Sequence, residues 1–151
     1  MFVVIYEGRV IPKKKTKRRF FDIITDMTME NFEELVQEGI KDIPERFLKM
    51  LENVDIIVEE NPNQEQLEKL KIRKGVFLLG LYEGVPQTKR WGYSQALPDK
   101  ITIFKEPIEK AGGSDQSIKE IVRNTVWHEL AHHFGMDEKS VRNAEKRRRK
   151  I

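Results

Sequence analysis

The chain has three histidines, and all of them fall between positions 128 and 133. They lie in Trp127-His128-Glu129-Leu130-Ala131-His132-His133-Phe134-Gly135. Side chains four residues apart share one face of an α-helix, so His128 and His132 can aim two imidazoles at one point. Imidazole is a common zinc ligand, and in His-Glu-x-x-His the intervening glutamate lies beside the ion. Glu129 can there take a proton from a metal-bound water. Any fold for this chain must supply a helix across these residues and a third ligand near its end.

Local signals place that helix at about 115–134. Gly112-Gly113 breaks the chain, Ser114 can cap the helix, and Gly135 is a natural stop. Ile121, Thr125, His128 and His132 form one stripe, apolar at its start and imidazole at its end, which suits a site at the base of a cleft. His133 points about 100° away from His132 and reads as a packing or supporting histidine rather than a ligand. Trp127 reads as core. Gly135 follows His132 by three residues and Glu138 follows Gly135 by three. In the longer pattern His-Glu-x-x-His-x-x-Gly-x-x-His, the glycine lets the chain swing the third ligand back. Glu138 holds that position and ranks first. The adjacent Asp137 is its main competitor, and Glu145 on a following helix is a third candidate.

Upstream, the pattern alternates between strand and helix. Residues 2–6 read as a strand, with Gly8 as a turn. Thr28 can cap a helix over about 29–40, with Met29, Phe32, Leu35, Val36 and Ile40 at helical spacing. Asp42 is expected to cap a second helix near 43–51, with Pro44 in its first turn. Residues 54–58 are β-branched enough for a strand, and 63–71 suit a short helix. Residues 76–82 read as a buried strand. Gly84 to Leu97 is a long connection, a length that often marks function. Ile101-Thr102-Ile103-Phe104 reads as a strand ended by Pro107. A last helix is expected over about 138–149.

A chain of 151 residues is one domain by its length and can bury a real core. It has no cysteine, so neither disulfides nor thiolate ligands are available, which fits a reducing compartment. The net charge of +3 hides an asymmetry, because residues 20–145 hold 16 basic and 24 acidic side chains. The basic excess lies in Lys13, Lys14, Lys15, Lys17, Arg18 and Arg19, and in Lys146, Arg147, Arg148, Arg149 and Lys150. Such runs can be solvated tails, can fold back on the acidic body, or can bind nucleic acid. Phe2-Val3-Val4-Ile5-Tyr6 is too short for a signal-peptide core, and no apolar stretch reaches membrane-spanning length. The expectation is a cytoplasmic protein without a membrane partner.

Thr125 through Glu138, together with Leu79-Gly80-Leu81-Tyr82-Glu83-Gly84-Val85-Pro86 and Leu97-Pro98-Asp99-Lys100-Ile101-Thr102-Ile103-Phe104, resembles the small bacterial zincin-like metallopeptidase family, with its minimal matrix-metalloprotease-like domain. The likeness spans about 27–142. Residues 1–26 look like an added N-terminal strand and basic extension, and 143–151 like a basic C-terminal tail. The resemblance implies an α+β fold in which a small mixed sheet packs on the motif helix, with the metal at the sheet edge. It implies one zinc held by His128, His132 and Glu138, with Glu129 as the base. No methionine follows Met136, so the methionine turn of larger relatives has no counterpart.

The leading expectation is therefore a zinc-dependent hydrolase of peptide bonds, its substrate a peptide or protein. Ile101–Phe104 could be an edge strand that receives an extended peptide, or simply a sheet strand. Tyr82, Arg90 and Tyr93 are the candidate donors to a developing oxyanion. The alternative is a metal-dependent endoribonuclease or RNA-processing protein that uses the basic tails. A small RNA-processing metalloprotein family shares the His-x-x-x-His-x-x-Gly spacing, but carries His where Glu138 stands and lacks a counterpart of Glu129. A third reading, a structural zinc domain or peptide-binding adaptor, fits poorly with three ligands beside a water-activating glutamate.

Overall fold

The computed structural model describes residues 4–7, 27–49, 51, 53–85 and 98–148. Their longest element is the motif helix, α5 (Asp115–His133), and the rest of the fold is arranged around it. Ser114 caps α5 by accepting the Ser117 N–H. Before it come β1 (Val4–Glu7), α1 (Met29–Lys41), α2 (Glu45–Leu48), β2 (Val54–Glu59), α3 (Gln64–Lys69), β3 (Leu78–Glu83), β4 (Asp99–Phe104) and α4 (Lys105–Gly112). After it comes α6 (Glu138–Arg148).

The strands form one mixed sheet in the order β1-β3-β4-β2. β1 and β4 flank β3 antiparallel, and β2 runs parallel to β4. This is the α+β, zincin-like architecture expected, a small mixed sheet packed on the motif helix. Both faces of the inner strands are covered. Ile101, Ile103 and Tyr82 join Val122, Val126 and Leu130 of α5 and Phe32 and Val36 of α1 in the main core. Phe104, Leu78 and Leu81 pack on the other side under Leu67 and Leu70. A strand covered on both faces reads as a continuous apolar run, which is why 76–82 does not alternate.

Several local signals hold. Thr28 caps α1, with its hydroxyl 3.2 Å from the Asn31 N–H. Asn63 and Gln66 form a reciprocal capping box on α3.

Three readings need correction. Asp42 does not cap the second helix: it is the C-cap of α1, and α2 is a single turn that follows Pro44. Pro107 does not end β4 but sits in the first turn of α4, where a missing N–H costs no intrahelical bond. The third concerns Ile101–Phe104. β4 is hydrogen-bonded on both sides, by β3 and β2, so it is no edge and cannot add a peptide strand.

Candidate metal centre

The end of α5 is shaped by Gly135. Its φ of 89° is a left-handed conformation that glycine adopts without a Cβ clash. The Gly135 N–H reaches the His132 carbonyl at 2.9 Å and the Met136 N–H reaches the Ala131 carbonyl at 3.0 Å, a Schellman closure of the helix. The chain turns back there and starts α6 beside the two imidazoles. One atom each from His128, His132 and Glu138 then lies within 4.8 Å of the others. Glu138 Oε2 is 3.3 Å from His128 Nε2 and 3.4 Å from His132 Nε2. Tetrahedral ligation at about 2.0–2.1 Å separates ligand atoms by roughly 3.3 Å, so both contacts have the right length for a shared ion.

The far side of each imidazole is held. His128 Nδ1 donates to Glu145 Oε1 at 2.9 Å, and His132 Nδ1 donates to the Met136 carbonyl at 2.8 Å. A proton fixed on Nδ1 leaves the Nε2 lone pair to face the cluster. His132 Nε2 is buried and makes no hydrogen bond among the described residues. An unsatisfied buried acceptor in a His-His-Glu set fits a bound metal ion.

Protonation tendencies agree. Burial, and then the neighbouring His128, hold His132 below its ordinary pKa, which favours the neutral ligand form. Partial burial pushes Glu138 up, but its hydrogen bond with Arg142 and the charges around it prevail and hold its pKa low. Glu138 is thus a carboxylate.

Glu129 is fully buried against β3. Its place depends on Gly80, where an added Cβ would lie 2.6 Å from Thr125 Cγ2 and 3.1 Å from Glu129 Oε1. The Tyr82 N–H faces the carboxylate, but neither oxygen of Glu129 completes a regular hydrogen bond among the described residues. Burial first, and then the negative charges of Glu138 and Glu145, push this carboxyl well above the usual carboxylate range. A bound cation would reverse that tendency.

The structure also separates the candidates. Asp137 does not face the cluster but caps α6, with Oδ1 2.8 Å from the Ser140 N–H. Glu145 supports His128 from behind. Tyr82 offers no oxyanion donor, because it is wholly buried and its hydroxyl donates to Asp99 Oδ2 at 2.5 Å. Arg90 and Tyr93 lie outside the described residues. Trp127 packs edge-on to Phe47 at the core margin, as its reading as core requires. His133 is buried and donates through Nδ1 to Asp99 Oδ2 at 2.8 Å. No spacing rule links Asp99 and His133, and sequence reasoning missed Asp99.

Residues 51–148 match a protein family described as Zincin-like metallopeptidase. None of the curated proteins matches the chain. Among solved structures it is similar to a conserved hypothetical protein from Thermo thermophilus, at 26% identity and a TM-score of 0.47, covering 70% of this chain and 92% of that one.

Proposed function

Because the chain belongs to the zincin-like metallopeptidase family, we propose that it hydrolyses peptide bonds with a zinc ion held by His128, His132 and Glu138. The observation that carries this reading is the convergence of those three groups beside the buried carboxylate of Glu129. Zinc, when bound, lowers the pKa of a water toward ~7 and polarises a carbonyl. The work of the chain is then positional. His128 and His132 turn their Nε2 atoms toward the common point because Glu145 and the Met136 carbonyl hold their Nδ1 protons. Glu129 takes the water's proton on a carboxylate oxygen and can pass it to the leaving amine. Burial under Gly80 fixes that carboxylate and keeps bulk water from it. The substrate is a peptide or protein.

The decisive variant is Glu129→Gln, which preserves shape and removes the base. It should keep about one zinc per chain and lose turnover of a peptide library by about 100-fold or more. Full activity in a zinc-loaded Glu129→Gln protein would sink the mechanism.

The basic side of α6 favours a second reading. Lys139, Arg142, Lys146 and Arg147 are exposed on the helix that begins at Glu138. An RNA-processing role would show as RNA binding that weakens steeply with salt. Among the described residues no helix is long and apolar enough to cross a membrane.

A further inference from the structure

Each of the three candidate ligands has a second polar atom pointing away from the cluster, and each such atom has its own partner. For His128 it is Glu145, and for His132 it is the Met136 carbonyl. For Glu138 it is Arg142, whose Nε donates to Oε1 at 2.6 Å while Oε2 faces both imidazoles. We propose that Arg142 makes Glu138 a one-oxygen ligand and so keeps a coordination position open for substrate beside the water. This inference rests on the zinc reading above and adds a positioning residue to it.

A carboxylate can bind a metal through one oxygen or two. With two imidazoles, both oxygens of Glu138 and a water, the ion would already be five-coordinate, and no position would be left for a substrate carbonyl. Arg142 occupies Oε1 with a charge-assisted hydrogen bond. The two residues stand four apart on α6, so the helix itself sets their separation. The guanidinium does not lose its proton at working pH, so the constraint persists wherever the protein is folded. Arg142 is exposed over 59% of its side chain, so it contributes little to the core and is open to substitution.

The test uses the full chain loaded with cobalt(II) in place of zinc. Tetrahedral cobalt(II) absorbs far more strongly in the visible than five- or six-coordinate cobalt(II). The wild type should show the strong band. Arg142→Ala should weaken it as Glu138 turns to bind through both oxygens, and zinc affinity measured against a chelator should fall by about 10-fold or more. Arg142→Lys keeps a cation one turn away and should restore most of the band. A wild-type spectrum and affinity in Arg142→Ala would overturn the inference alone. So would a loss in Arg142→Ala that Arg142→Lys does not repair. A wild type that takes up neither cobalt nor zinc would overturn the metal reading, and the inference with it.

Discussion

Two groups of imidazole and carboxylate flank the last turn of α5, one buried throughout and one with its carboxylate half-buried, and they come to opposite ends. On one side Asp99 takes the His133 Nδ1 proton and the Tyr82 hydroxyl on Oδ2, and the Val85 N–H on Oδ1 at 3.2 Å. That group is closed by its own hydrogen bonds and ties β3 and β4 to the end of the helix. On the other side His128, His132 and Glu138 spend their outer atoms on Glu145, Met136 and Arg142 and turn the remaining ones toward a common point. His132 and His133 are neighbours in sequence and both buried. Residue type therefore does not separate a structural cluster from a candidate ligand set. What separates them is geometry: Asp99 accepts directly from His133, whereas one Glu138 oxygen stands 3.3 and 3.4 Å from two imidazole nitrogens.

The sharpest way to break this contrast is a pair of deletions. Asp99→Ala leaves the buried donors of Tyr82 and His133 without their acceptor and should cost about 3 kcal/mol or more in urea denaturation of the metal-free protein. Its zinc content should stay near that of the wild type while the protein is folded. His132→Ala should lose zinc by elemental analysis and cost less metal-free stability than Asp99→Ala, about 1–2 kcal/mol for its buried ring and its hydrogen bond to the Met136 carbonyl. If both variants lost metal and stability alike, the two groups would be one unit and the distinction would fail.

A smaller effect sharpens the ligand side. Glu145→Ala removes only the support behind His128, so zinc should still bind, with affinity about 10- to 100-fold lower by chelator competition. Unchanged affinity would mean that packing alone orients His128. The smallest effect is a pH slope in the metal-free protein. Burial raises the Glu129 pKa on folding, so the unfolded chain releases this proton first, at about pH 4.3. Stability from this group is then full below that value and declines as pH rises toward the folded pKa. Glu129→Gln cannot titrate and should lack this decline. Thermal midpoints from about pH 5 to about pH 8 should diverge, with the wild type falling relative to the variant. Parallel curves would mean that the carboxylate is solvated after all.

Much of this was legible in the chain because it is local. The helix from Ser114 to Gly135, the shared face of His128 and His132, and the caps at Thr28 and Asn63 all depend on residues within a turn of each other. The choice between Glu138 and Asp137 lay one step beyond. Both are carboxylates at the right distance from Gly135; in the fold Asp137 caps α6, while Glu138 stands near the two imidazoles. Pro107 misled because its meaning depends on whether it falls inside a helix or in its first turn, and that is set by where β4 stops.

The sequence by itself determined that two imidazoles and a glutamate would share the end of one helix, because helical periodicity needs no other part of the chain. Only the tertiary structure decided what surrounds them. β4 became an inner strand, Gly80 admitted Glu129 against β3, and Asp99 met His133 across a separation of 34 residues. Those contacts join segments far apart in the chain, and they are fixed by how the sheet and helices bury apolar surface together rather than by any local spacing.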